Sequence, residues 1–436
     1  MSIVVNQLAE AISQEVEARK DELINLLSKL IAFPTVSPPG RNTTEIQEFI
    51  KTYLENLGFQ TDMWEVYPGD HNVVGILQGK DSKEYNSLII NGHVDVAEVG
   101  DDSEWSSSPF TARITDSYVY GRGTSDMKGG IAASLIAIKL LKELGITLQG
   151  DLQFQSVIGE EVGEAGTLSC LERGYTADYA VVVDSSNLHI QGQGGVITGW
   201  ITIESKETYH DGMRRKMIHA GGGVNGASAI EKMMKIIAGL QELERHWAIT
   251  KRYEGFPPGT NTINPAVIEG GRHAAFVADK CSLWITVHFY PNEDYEDIIQ
   301  EIEQHIMAVA ASDPWLRENP PQFVWGGKSM IIDHGEVFPS LELDRDHPGT
   351  RLLVESYEKM IYQNPIVGMS TTVTDAGWLG RAGIPTSIFG PGKLEDAHAV
   401  NEKVEIQQLL DFTKVLAVFI AEWCNTRKQG ERNDSN

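Results

Sequence analysis

NGHVDV, at residues 91–96, decides the reading of the fold because of what precedes it. Leu88, Ile89 and Ile90 form a short apolar run, as expected of a strand buried on both faces of a parallel sheet. The run stops at Asn91-Gly92, so His93 and Asp95 fall just beyond the strand's carboxyl end. In open α/β sheets that edge is where ligands bind. Two residues apart, the side chains point the same way if the backbone stays extended. A carboxylate beside a histidine can fix its tautomer and orientation while the other ring nitrogen holds a metal. Alone, such a pair is an ordinary polar strand end. Its weight comes from three later strands that end in the same kind of chemistry.

The chain has 436 residues, too many for one typical core, and two domains are expected. With 41% hydrophobic and 22% charged residues it has the composition of a globular protein. A formal net charge of -25 argues against nucleic acid as a partner, because neutralising phosphates needs clustered Lys and Arg. An acidic surface is sufficiently explained by solubility. Cys170, Cys281 and Cys424 are far apart and odd in number, which suits reduced core thiols in a cytoplasmic protein. Charged residues interrupt the first helix pattern at Glu10, Glu15, Glu17, Arg19 and Lys20, unlike a signal segment. No run approaches the ~18 apolar residues of a membrane span. The expectation is a cytoplasmic protein without a membrane partner.

Residues 3–32 have helical spacing, and 44–57 read as a second helix ended by Gly58. Strands follow near 73–77 and 88–90, then a helix over 129–144 with Ile131, Leu135, Ile138 and Leu141 as its buried stripe. Further strands at 152–158 and 180–183 alternate with helices, which indicates a mostly parallel α/β sheet. After Gly192 the pattern changes. Strand 196–205, helix 227–240, strands 264–269 and 282–289, helix 295–310 and strand 322–325 give the β-α-β-β-α-β order of a ferredoxin-like domain. This places an inserted domain at 193–330 within an α/β domain made of 1–192 and 331–436, the latter resuming with helix 349–362 and strand 384–389.

Four more stretches carry chemistry. In GRGTSDMKGG, residues 121–130, glycines flank Asp126 just before a helix and let backbone approach whatever it binds; a lone aspartate there would read as an N-cap. Glu160 and Glu161 follow the strand at 152–158, and paired carboxylates at a metal can divide into one ligand and one proton carrier. Asp184 ends the buried run Ala180-Val-Val-Val183. His398 lies in EDAHAV, beyond the strand at 384–389. If the strands are parallel, these residues gather at one sheet edge. Clustered carboxylates repel unless cations intervene. Asp126, Glu161 and Asp184 together suit two divalent ions, and nitrogen and carboxylate ligands without thiolate suit zinc, with cobalt or manganese as substitutes.

The order GHVDV, GRGTSDMKGG, GEE, a buried strand ending in Asp184, GIPTSIFGPG and AHAVNE resembles the zinc-dependent M20 family. Acetylornithine deacetylase and succinyl-diaminopimelate desuccinylase are among its members, and the likeness spans nearly the whole chain. The resemblance implies an α/β catalytic domain with two Zn2+ per chain (Co2+ or Mn2+ as alternatives) and an inserted lid that pairs two chains into a homodimer. It implies His93 and Asp184 on one metal, Glu161 and His398 on the other, and Asp126 bridging. Asp95 would orient His93, and Glu160 would be the general base.

The lid histidine that the family brings to the partner's active site has two candidates. His219 keeps the usual spacing to the following helix, and His210 keeps the usual distance from the preceding strand. His219 is preferred. Where many relatives carry Asn and Arg in the lid, this chain has Ala275 and His288, and Arg272 and His273 are candidate substitutes in substrate binding. The expected activity is hydrolysis of an amide, by removal of an acyl group from an amino-acid-like or other small amine. The alternative enzyme is a di- or tripeptidase or carboxypeptidase with the same centre. A non-catalytic metal-binding protein would be favoured by a missing ligand, and none is missing.

Overall fold

In the computed structural model, which describes residues 2–163, 166–213 and 226–428, the apolar run at Leu88 lies in the middle of the larger sheet. Strand β1 (Leu88–His93) is buried at every position. It runs between β2 (Leu152–Val157) and β3 (Tyr179–Val182), parallel to both. β4 (Thr386–Ile388) lies parallel beside β3. With neighbours and helices on every side, these strands need no polar face, which is why they read as continuous apolar runs. Towards one edge lie Asp70–Leu77 and Gln60–Tyr67, an antiparallel pair. Towards the other lie Ile190–Gln193 and Val367–Ser370. The sheet is thus parallel at its centre, as expected, with antiparallel additions.

Helix α1 (Lys128–Glu143) covers β1 and packs against the helix Ile406–Trp423. A Cβ on Gly130 would stand 2.0 Å from the carbonyl oxygen of Val183. Only a residue without a side chain lets the first turn of α1 come so close to the end of β3. The helical spacing over 3–32 resolves into two helices, Ser2–Ala18 and Lys20–Ile31. They part at Arg19, whose ψ of 13° leaves the helical range and whose guanidinium reaches Glu143 at 2.7 Å.

The chain divides into two compact units, residues 1–193 with 341–436 and residues 194–340. The second unit is an antiparallel sheet in the order Thr262–Gly270, Lys280–Phe289, Gly195–Glu204, Gln322–Trp325. Helices Ala229–Thr250 and Tyr295–Ala311 complete the ferredoxin-like order. The first of these helices runs past Leu240, because Leu243 and Trp247 continue its buried stripe. Among the described residues no helix is long and apolar enough to cross a membrane.

Candidate active site

Because β1, β2 and β3 are parallel, the residues that follow each strand emerge at one edge. His93 is the last residue of β1. After β2 the chain turns through Gly159, at φ 81°, into a single 3-10 turn formed by Glu160–Val162. That left-handed conformation favours glycine and throws both glutamates forward. Asp184 lies just past β3. Asp126 is not the capping residue of α1. The N-cap is Met127, and the Asp126 carboxylate faces two imidazoles instead.

Asp126 Oδ1 is 3.1 Å from His93 Nε2, and Asp126 Oδ2 is 3.4 Å from His398 Nε2. His398 Nε2 also lies 2.7 Å from Glu161 Oε2. Glu160 Oε2 and Asp184 Oδ2 are each 3.9 Å from His93 Nε2. The five expected ligands and Glu160 are therefore one cluster, with Asp126 between the two histidines.

Asp95 serves the cluster differently from a simple carboxylate–imidazole contact. His93 Nδ1 is 3.0 Å from the Asp95 backbone carbonyl and 3.6 Å from its Oδ1. The Asp95 carboxylate accepts the backbone N–H of Gly159 at 2.8 Å and of Glu161 at 3.0 Å. With Nδ1–H donated to the carbonyl, Nε2 is left with its lone pair facing Asp126. Asp95 thus orients His93 through its backbone and clamps the glutamate turn through its side chain.

Arg122 and Glu402 stand inside the motifs GRGTSDMKGG and AHAVNE, where the sequence alone gives them no role. Glu402 is fully buried and accepts hydrogen bonds from Arg122 Nη1 and from the backbone N–H of Gly123, Ser125 and Asp126. The only signal was an acid and a base within two glycine- and histidine-bearing loops, far apart in the chain.

The cluster holds more carboxylates than imidazoles, and all of it except the exposed His398 lies largely out of water. Burial and the Asp126 carboxylate push Glu161 up to about 7 and Asp184 up to about 8. Burial, with Asp184, Glu161 and Asp126 as like charges, raises Glu160 well above the usual carboxylate range. Burial alone would lower His93, but Asp126 and Asp95 raise it well above 6.5. Hydrogen bonds to Asp126 and Glu161 raise His398 to about 10. Every one of these shifts favours a positive charge at the cluster, whether proton or metal.

The residues fit a divalent metal. Ligand atoms of His93, Asp126 and Glu161 lie within 4.8 Å of one another. Glu161 Oε1 is buried without a hydrogen-bond partner among the described residues, a costly arrangement for an oxygen that ligates nothing. The nitrogen and oxygen donors belong to the set that zinc, cobalt and manganese accept.

The other expected residues belong to the 194–340 unit. Arg272 pairs with Asp279 and donates to Thr208 Oγ1 at 2.9 Å. His273 Nδ1 accepts the N–H of Ala275 at 3.1 Å, and exposed His210 Nδ1 accepts that of Gly212 at 3.1 Å. His219 lies outside the described residues.

Residues 89–422 match the family model described as peptidase family M20/M25/M40. The chain is 60% identical to N-formyl-4-amino-5-aminomethyl-2-methylpyrimidine deformylase of Bacillus subtilis, over 98% of this chain and 100% of that one. It is 59% identical to the deformylase of the same description from Halalkalibacterium halodurans, over 96% and 98%. Among solved structures, an M20 family metallo-carboxypeptidase of Sulfolobus solfataricus, Sso-CP2, superposes with a TM-score of 0.70. That likeness, at 18% identity over 92% of this chain and 99% of the other, concerns the fold. The matched motifs and the shared architecture agree, and the chain belongs to peptidase family M20/M25/M40.

Proposed function

We propose that this chain is an amide hydrolase that removes the formyl group from N-formyl-4-amino-5-aminomethyl-2-methylpyrimidine or a close analogue. The observation that carries the reading is 59–60% identity to two deformylases over essentially their full lengths. The clustered acids and imidazoles described above are its chemical support.

Two divalent metals, zinc foremost with cobalt or manganese as substitutes, would be held by His93 and Asp184, by Glu161 and His398, and by Asp126 between them. Such ions polarise a carbonyl and raise the acidity of water. Glu160 takes the proton of the attacking water and delivers it to the departing amine nitrogen, which turns a poor leaving group into a neutral amine. Asp95 keeps Glu160 and Glu161 at their stations by holding the turn that carries them.

The 194–340 unit is proposed to pair two chains. Thr262–Gly270 is an edge strand on which Val267 and Ile268 are 46% and 53% exposed, and the helix Ala229–Thr250 exposes Met234 at 67%. An uncovered edge with outward apolar residues is a surface natural proteins normally protect. In the dimer His219, or His210 in its place, reaches the partner's active site. The three buried free cysteines support a reducing compartment, the cytoplasm.

Formate release tests the reading. Purified protein given the formylated pyrimidine should yield formate and free amine in equal amounts. Chelation should stop the reaction and zinc or cobalt should restore it. No formate from the formylated pyrimidine, with a dipeptide hydrolysed instead, would reverse the assignment towards a peptidase.

A further inference from the structure

The loop that carries Asp126 is held by a pair of residues outside the ligand set. Both oxygens of Glu402 are committed. Oε2 accepts Arg122 Nη1 at 2.8 Å and Gly123 N–H at 2.9 Å, and Oε1 accepts Ser125 N–H at 2.7 Å and Asp126 N–H at 3.0 Å. Arg122 is 1% exposed and Glu402 0%. The second arm of the guanidinium, Nη2, donates to the backbone carbonyl of Glu98 at 2.8 Å and to that of His398 at 3.2 Å. One buried ion pair therefore ties the segment after Asp95, the loop before α1 and the loop that bears His398.

Stability alone does not account for such a pair. Two charges withdrawn from water are often no better than a well-packed apolar pair of the same size. What an apolar pair cannot do is fix three amides and two carbonyls in direction. Arginine can, because its planar fork presents donors in set directions. The amides on Glu402 belong to the residues leading to Asp126, and the carbonyl on Arg122 belongs to His398 itself.

We propose that Arg122 and Glu402 are positioning residues that set the spacing between Asp126 and His398, and so the affinity for the metal these two ligands share. The proposal rests on the metal-centre reading above. Neither residue is in the proposed ligand set; each acts through the backbone of a ligand.

Arg122→Lys is the test. It preserves a cation for Glu402, but an ammonium cannot serve the carboxylate and both carbonyls from a planar fork. Zinc affinities are measured by competition with a chelator, alongside thermal melting, kcat and KM. Outer partners of metal ligands are commonly worth about 10–100-fold in affinity. Arg122→Lys should lose about tenfold or more at the site that His398 completes. The loss should appear in kcat more than in KM, and excess zinc should restore part of it. A folded Arg122→Lys chain with wild-type zinc affinities and kcat overturns the proposal. Should that variant fail to fold, the double variant Arg122→Met/Glu402→Gln, which leaves no unpaired charge, is read in the same way. Wild-type affinity in that double variant assigns the pair a stabilising role alone and overturns the proposal. A wild-type chain that binds no metal instead overturns the metal-centre reading itself, an outcome separate from any effect of the variants.

Discussion

Glu160 and Glu161 are neighbours in sequence but differ in what they face. Glu161 Oε2 lies 2.7 Å from His398 and its other oxygen is buried without a partner among the described residues, whereas Glu160 sits 3.9 Å from His93. Ligation is proposed for the first and proton transfer for the second. Glu160→Gln should therefore retain metal and lose turnover by roughly 10²–10⁴-fold, while Glu161→Gln should lose metal first. Elemental analysis beside kcat separates the two; near-wild-type turnover in both would refute the assignment. The raised proton affinities of Glu161, about 7, Asp184, about 8, and His398, about 10, give a second prediction. Ligands must shed protons before they bind a cation. Metal binding near pH 7 should thus release protons, and affinity should fall as the pH drops from 8 towards 6, because the protonated forms gain population. Calorimetry in buffers of different ionisation heat reads the proton count directly. An affinity independent of pH over that range would contradict it.

Elements deliver these residues by close approach. The Gly130 backbone stands where a Cβ would be 2.0 Å from Val183 O, so Gly130→Ala must push α1 off the end of β3 and pull Asp126 away from Asp184. Overfilling a packed site typically costs about 1–3 kcal/mol, and here metal affinity should fall with stability. Gly368 is the control, since nothing lies within 4 Å of its would-be Cβ. Gly368→Ala should leave melting and metal content unchanged. The elements also show where sequence patterning is readable. The strands ending at His93 and Val182 and the helix Thr44–Leu57 announced themselves by buried runs or a clean amphipathic stripe. The helix Ile406–Trp423 gave no such signal, because it is buried nearly all round and has no polar face to set a period. The strand Gln60–Tyr67 is partly exposed along its whole length at the sheet edge, so its composition is too polar to read as a strand. Arg122 and Glu402 were invisible for another reason: their bond joins residues 280 apart, and only the folded chain brings them together.

At the scale of the whole molecule, the proposed dimer makes each active site depend on two chains. Inactive His219→Ala chains mixed with inactive Glu160→Gln chains, under conditions of subunit exchange, should recover activity, because a mixed dimer contains one complete site. No recovery despite demonstrated exchange would argue against donation in trans, and a fully active His219→Ala would move the role to His210. The choice of substrate is likewise a property of the whole chain. A deacylase that recognises an amino acid's carboxylate needs a placed cation, and arginine meets that need best. Here His288 is exposed on a strand, its Nδ1 3.2 Å from Thr262 Oγ1, and Arg272 is engaged by Asp279. A neutral aminopyrimidine makes no demand for such a clamp. The most direct measurement is a side-by-side kcat/KM for the formylated aminomethylpyrimidine and for acetylornithine on the same zinc-loaded protein. At least a tenfold preference for the pyrimidine is expected, about 1.4 kcal/mol in the transition state; equal values, or a preference for acetylornithine, would contradict the deformylase assignment.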